Sequence, residues 1–276
     1  MDASNKPPAN RYEALYRDFD SALMRRIRRE AYGEDIGQHS WVGADELRRD
    51  TGHLGLTHSS RLLDLGCGPC GPLTFVIASV GCSGTGVELS AAALRLGRAR
   101  AASLGVEARF TLREADLDAP LPLEPRQFDA AMSLDVILHL RDRLRLFHEV
   151  ARLLRPAGRF MFTDAGIVTG SLSSEEVKSR SPYGFTQFVA PGWNEGLLES
   201  AGFRLIETEN RTASMLNNAR GRLSAIQAHR AELEKVWSTA GFEKQRDYLE
   251  TVIKLSESGA LSRVMFLAEV RTPQAV

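Results

Sequence analysis

The stretch Arg61-Leu62-Leu63-Asp64-Leu65-Gly66-Cys67-Gly68-Pro69-Cys70-Gly71-Pro72 decides the fold. Leu62, Leu63 and Leu65 form a short apolar run of the kind that becomes a buried parallel strand. Gly66, Gly68 and Gly71 then break the run into a turn. Leu73, Val76, Ile77 and Val80 follow with helical spacing. Strand, glycine turn and helix is how a doubly wound α/β sheet builds a nucleotide site at the carboxyl end of its first strand.

Three chemistries compete for this turn. Gly66-x-Gly68-x-x-Gly71 fits a dinucleotide fingerprint, but Pro69 and Pro72 each remove a backbone donor that a pyrophosphate would need. Cys67-Gly68-Pro69-Cys70 spells a redox Cys-x-x-Cys, and a helix N-terminus would lower a thiol pKa. The rest of that small fold is missing around it. The third is an adenosine cofactor without a pyrophosphate. Asp64 discriminates, because a carboxylate suits a ligand with a cationic amino group and repels a pyrophosphate. Asp64-Leu-Gly-Cys-Gly-Pro-x-Gly71 resembles motif I of the class I S-adenosylmethionine-dependent methyltransferases.

Working outward, the α/β rhythm continues. Ser83–Glu88 reads as a second strand and Ser90 as the cap of a helix carrying Leu94, Leu96 and Leu104. Glu88 lies about 20 residues past the turn, where an acid accepts from both ribose hydroxyls. Residues 106–114 read as a third strand, Phe128–Leu134 as a fourth, and 141–155 as a helix. Leu153-Leu-Arg-Pro-Ala-Gly-Arg-Phe160 reads as a helix stop, a turn and a fifth strand; this phrase resembles a second signature of the same class. A sixth strand follows Ala201-Gly202-Phe203, and Leu261–Val270 is the last.

The resemblance spans roughly residues 60–210 plus the final strand, judged against the doubly wound pattern. It implies a Rossmann-like seven-stranded sheet of order 3-2-1-4-5-7-6 with the last strand antiparallel. The core is expected at 59–210 and 260–276, an N-terminal helical extension or lid at 1–58, and a helical insertion at 211–259. The resemblance also implies the cofactor, S-adenosyl-L-methionine, with S-adenosyl-L-homocysteine as product. Its binding set would be Asp64, Leu65, Gly66, Cys67, Gly68, Glu88, Leu89, Asp116, Leu117, Ser133 and Leu134, with Asp116 accepting from the adenine amino group.

His139 is the candidate general base, one turn past the fourth strand at the ligand-binding end of the sheet. Asp135-Val-Ile-Leu-His-Leu140 resembles the matching stretch of phosphoethanolamine methyltransferases, where the histidine belongs to a Tyr/His pair; Tyr12 and Tyr16 are the nearest tyrosines. The segment Tyr32-Gly-Glu-Asp-Ile-Gly-Gln-His-Ser-Trp41 resembles the substrate-side loop of glycine/sarcosine and phosphoethanolamine N-methyltransferases. Tyr32 and Trp41 of this loop and Tyr183, in the variable Ser179–Gln187 loop with no matched motif, are the candidate substrate residues, with Trp41 and Tyr183 offering aromatic faces to a cation. A small-molecule N- or O-methyltransferase is the leading reading. An enzyme of the same fold that uses the cofactor without methyl transfer, such as a cyclase, and a non-catalytic cofactor-binding protein are the alternatives. A nicotinamide oxidoreductase is opposed by Asp64.

The 276 residues include 35 basic and 35 acidic side chains. Zero net charge argues against a nucleic-acid partner. Arg25-Arg26-Ile27-Arg28-Arg29 is the one basic cluster and reads as a solvated helix face. Three cysteines argue against a secreted disulfide scaffold, and no apolar run reaches membrane-spanning length. The start, Met1 to Pro8, has no signal-peptide pattern. A cytoplasmic protein without membrane contact is expected. Neither zinc spacing nor partners for a magnesium site at Asp164 are present, so no metal is expected. A stripe of Leu216, Ala219, Leu223, Ile226, Leu233, Trp237 and Ala240 reads as sheet-edge packing, a lid or a homodimer seam through 211–259.

Overall fold

A computed structural model describes residues 16–182 and 184–272. The chain forms β1 (Arg61–Leu65), β2 (Ser83–Glu88), β3 (Phe110–Glu114), β4 (Phe128–Leu134), β5 (Leu154–Val168), β6 (Phe203–Asn210) and β7 (Leu261–Val270). Their order in one sheet is β3-β2-β1-β4-β5-β7-β6, as expected. β7 runs antiparallel to both β5 and β6, and the β1–β5 pairings are parallel. The order reverses between β1 and β4, which opens a crevice at their carboxyl ends.

Before the sheet come α1 (Ala22–Tyr32) and α2 (Ala44–His53). Within it lie α3 (Gly71–Val80), α4 (Ala91–Ser103), α5 (Arg143–Leu153), α6 (Ser174–Ser179) and α7 (Trp193–Ser200). The insertion is α8 (Thr212–Ala228) and α9 (Arg230–Glu257). Both sheet faces are covered, so the central strands read as apolar runs. One face packs Phe147, Phe160, Phe162, Phe203 and Phe266 into the largest aromatic cluster. The other buries Leu62, Leu73, Ile77, Leu94 and Met132 beneath α2, α3 and α4. No helix among the described residues is long and apolar enough to cross a membrane.

Several boundaries differ from the sequence reading, each for a local reason. The third strand begins at Phe110, because residues 107–109 turn as a 3-10 helix whose Arg109 N–H returns to Val106 O. α5 starts at Arg143, because the Asp142 carboxylate accepts from Arg145 N–H and caps it. It stops at Leu153, two residues short of the expected end. Pro156 biases Arg155 away from helical backbone. α2 begins after Gly43, and Val42 is fully buried. Residues 17–21 form a turn, and Ser21 caps α1. Leu104 is 48% exposed rather than on the buried face of α4.

The insertion stripe is not one helix face. The chain turns at His229, and α9 kinks at Ser238, where φ is 66°. Met215, Ala219, Ile226, Leu233, Phe242, Leu249 and Val252 are buried, whereas Ala240 is exposed. They pack with Ile27 of α1, Trp41 and Ala165, so this apolar face is consumed within the chain. The arginine cluster of α1 is also occupied: Arg25 pairs with Asp20, Arg26 with Glu232 of α9 and Arg28 with Asp35.

Candidate active site

The crevice at the β1/β4 reversal deepens into a cavity of about 220 Å3. Its first half is built by the quoted stretch. After β1, Gly66 adopts φ +73° and Gly68 φ +52°, conformations that cost a side-chain residue strain. A Cβ at Gly66 would stand 2.6 Å from Val136, so β1 and the turn after β4 approach only across a glycine. The N–H groups of Gly66 and Cys67 both reach Val87 O, pinning the turn to β2.

Asp64 is 2% exposed and lines this cavity, and its carboxylate makes no hydrogen bond among the described residues. Burial, with Glu88 nearby, pushes its carboxyl up to about 8. It is an acceptor lacking a cationic donor. Glu88 accepts from the N–H groups of Gly68 (3.0 Å), Leu89 (2.8 Å) and Ser90 (2.9 Å). Burial raises the Glu88 pKa and these donors oppose the rise. Leu89, Asp116, Leu117, Asp118 and Leu134 continue the wall. An acceptor for an ammonium, an acid at the end of β2 and a glycine cradle fit the amino-acid and ribose ends of S-adenosylmethionine.

Not every expected cofactor residue lines the cavity. Leu65 is fully buried behind the turn, and Ser133 Oγ donates to Leu65 O at 2.9 Å, bracing β4 to β1 from beneath. Cys67 and Cys70 are buried and reduced, with their sulfurs 3.3 Å apart. Burial pushes the Cys67 thiol well up, which is opposite to the lowered pKa of a redox thiol.

The second half of the cavity comes from distant segments. His139 sits on a 3-10 turn, Ile137–His139, and lines the cavity with Nδ1 3.4 Å from Phe185 O. Burial lowers its pKa, so the imidazole is neutral near pH 7. His39 also lines the cavity, set edge-on to Tyr16 and Phe19, and burial lowers it to about 3. Tyr16 lines the wall beside Gly68; Tyr12 lies outside the described residues.

Trp41 stacks on Tyr248 of α9 at 6.2 Å between centroids. Arg222 of α8 covers Trp41 at 4.9 Å, and Arg180 covers Tyr248 at 5.3 Å. This ladder of guanidinium, indole, phenol and guanidinium corrects the expectation that Trp41 offers a face to a cationic substrate, because arginine already occupies it. Tyr32 does not reach the cavity; its hydroxyl donates to Ser40 O at 3.0 Å and supports the loop from behind. Tyr183 lies outside the described residues. Asp164 is not metal-like either, being buried against Arg143, Asn194 and Gly166 N–H. No group of three metal-ligating side chains occurs among the described residues.

Sequence reasoning missed His39, Asp135, Arg180, Arg222 and Tyr248. Arg180 fell inside a loop flagged as variable, and Asp135 inside a quoted motif. Arg222 and Tyr248 had no signal beyond lying in the insertion.

Residues 63–162 match the methyltransferase domain family. Over that stretch, about a third of the chain, it resembles the S-adenosylmethionine-dependent methyltransferases, and its sheet has the Rossmann-like order of their fold. It is similar to the glycine/sarcosine/dimethylglycine N-methyltransferase of Actinopolyspora halophila, 26% identical over 75% of this chain and 36% of that enzyme. Among solved structures it resembles phosphoethanolamine N-methyltransferase 2 of Haemonchus contortus, solved with phosphomonomethylethanolamine and S-adenosylhomocysteine. There the TM-score is 0.78 at 22% identity, over 95% of this chain and 60% of that one. A cyclopropane synthase of Mycobacterium tuberculosis superposes with TM-score 0.78 at 19% identity, covering 96% of this chain and 99% of that one. The chain thus spans only about a third of the curated relative, while its fold, helical additions included, matches a neighbour nearly end to end.

Proposed function

We propose that this protein transfers a methyl group from S-adenosylmethionine to a nitrogen or oxygen of a small molecule, with His139 accepting the acceptor's proton. The observation that carries the reading is the continuity of one cavity. The cradle after β1 and the His139 turn after β4 line the same cavity.

Asp64, Glu88 and Asp116 would hold the cofactor's amino group, ribose and adenine. Bound there, the cofactor supplies an electrophilic methyl on a sulfonium. The chain's own task is orientation, water exclusion and proton removal. Orientation falls to Gly66 and Gly68, which allow close approach, and to Leu134 and Val136 flanking the path to the second half. Water exclusion falls to Trp41, Tyr248 and Phe185. Proton removal falls to His139, whose lowered pKa keeps it neutral and accepting at neutral pH.

The test is incubation of the purified chain with methyl-labelled cofactor and a panel of small amines, amino acids and phenols. S-adenosylhomocysteine should form together with a product heavier by one methyl. Cofactor binding without turnover across the panel would favour a non-catalytic binder. Turnover of a substrate without methyl gain would favour a cyclase-like reaction.

A further inference from the structure

The turn that carries His139 is held by a buried polar cluster. Arg143, the first residue of α5, is 2% exposed. Its Nη1 donates to the Asp164 carboxylate of β5 and, at 2.8 Å, to Asn194 Oδ1 of α7. Its Nε donates to Gln187 Oε1 at 2.8 Å and its Nη2 to Gln187 O at 2.7 Å. Asn194 Nδ2 donates to Asp164 at 2.9 Å, and both residues are fully buried. A buried ion pair is by itself weak evidence for stability. This one grips a loop residue, Gln187, by its side chain and its carbonyl together.

Gln187 in turn holds the His139 turn. Its N–H donates to Leu138 O at 2.7 Å, one residue before His139. Two residues before Gln187, Phe185 O lies 3.4 Å from His139 Nδ1. Val189 pins the same segment to β5, donating to Gly166 O at 3.0 Å and accepting from Val168 N–H at 2.8 Å. A Cβ at Gly166 would stand 3.1 Å from Asp164 Oδ1, 3.2 Å from Gln187 O and 3.4 Å from Leu138 Cβ. The three segments are in close contact there, so a shift of Gln187 is passed to the His139 turn rather than absorbed by slack.

A carbonyl oxygen only accepts, so the bond to Phe185 O places a proton on Nδ1. Burial keeps the imidazole neutral near pH 7, and in a neutral ring the other nitrogen then carries the lone pair. We propose that Arg143, Asp164 and Gln187 are positioning residues that hold Phe185 O against His139, fix its Nδ1–H tautomer and make Nε2 the nitrogen that takes the acceptor's proton. The role of Nε2 rests on the methyl-transfer reading; the tautomer and its clamp do not. In the transfer, the acceptor's lone pair forms the bond to the methyl carbon, and the carbon–sulfur bond breaks with its electrons left on sulfur. The proton that the acceptor sheds passes to Nε2. The imidazolium keeps its Nδ1–H on Phe185 O until it releases the Nε2 proton to solvent.

Nitrogen-15 NMR of the histidine rings, on the full chain saturated with S-adenosylhomocysteine, reads the tautomer, and His139→Gln identifies the signal. The unsubstituted chain should show the proton on Nδ1. Gln187→Met keeps the length of this half-buried side chain and removes its acceptor. His139 should then populate both tautomers. With the acceptor found in the panel above, kcat should fall about 10- to 100-fold, because a small misplacement of a reacting group is costly, while KM and cofactor affinity stay near wild type. Gln187→Asn, which withdraws the acceptor by one methylene, should shift both readouts the same way. Gln187→Glu restores an acceptor for Arg143 and should recover the tautomer and most of the rate. A proton on Nε2 in the unsubstituted chain overturns the inference, whatever the variants do. So do folded Gln187→Met and Gln187→Asn chains that keep the wild-type tautomer and turnover. An Nδ1–H tautomer that responds to Gln187 in a chain transferring no methyl would refute the function proposed above and leave the clamp standing.

Discussion

The backbone N–H of Trp41 donates to the Asp135 carboxylate at 2.8 Å across 94 positions of sequence. This bond ties the loop that roofs the cavity to the end of β4 that floors it. Asp135 has φ +60°, a conformation aspartate tolerates better than most residues. It is held there by Thr163 and by Arg263, a fully buried arginine of β7 that also binds Glu46 of α2 at 2.7 Å. Arg211 continues the network to Asp50 at 2.6 Å. Asp135→Asn keeps the backbone preference but removes the charge facing Arg263. It should destabilise the fold by about 3–5 kcal/mol, the range for breaking one partner of a buried pair. Urea denaturation checks this, and a loss under about 1 kcal/mol would mean that Glu46 alone suffices for Arg263.

Asp64 gives the stability a pH dependence of definite sign. Its folded pKa, about 8, lies above the ordinary 3.8, so the folded chain holds the proton more tightly than the unfolded chain. Stability of the cofactor-free chain should therefore fall as pH rises from about 4 to 8, with slope up to about 1.4 kcal/mol per pH unit. Asp64→Asn does not titrate and should lose this component. Cofactor binding supplies a cation and should release close to one proton at pH 7, read by calorimetry in buffers of different ionisation enthalpy. Binding with no buffer dependence would contradict a protonated Asp64.

Replacing His139 with Ala should lower turnover by about 10²–10⁴-fold and leave cofactor affinity near wild type. The wild-type rate should fall on the acid side below the ordinary histidine range, because burial lowers this pKa. That limb should vanish in the variant. Unchanged turnover would mean that the acceptor arrives already deprotonated.

Cys67 and Cys70 should resist alkylation in the folded chain. Their burial and the raised Cys67 pKa leave little thiolate. Mass spectrometry after iodoacetamide treatment should find them modified only once the chain is unfolded. Rapid labelling of the native protein would reopen a redox role for this turn.

Much of the first half of the cavity was legible from residues 61–72, Glu88 and Asp116. Those features are local: an apolar strand, a glycine turn and a capped helix make hydrogen bonds among near neighbours, and the parallel sheet brings strand ends together in a fixed way. β2, β4 and β7 fell on their expected residues for the same reason. Where the reading slipped, short-range chemistry had been overlooked, as with the Asp142 cap, Pro156 and the turn at 107–109. Tyr32 was misplaced because its loop can be recognised without knowing which side chains it turns inward.

The sequence by itself determined the strands and the place of the glycine cradle, since strand and turn spacing are written in neighbouring residues, while the strand order was implied by the resemblance of motif I. Only the tertiary structure brought together the second half of the cavity. Ser40, Trp41, His139, Arg180, Arg222 and Tyr248 come from segments spread across more than 200 positions. Nothing local distinguishes Arg180 or Arg222 from the other arginines of the chain. Their placement arises when α8, α9 and the loop before Val42 bury a shared apolar face, which carries two guanidiniums onto stacked aromatic rings. Such long-range packing is a sum of many weak contacts, and no short motif encodes it.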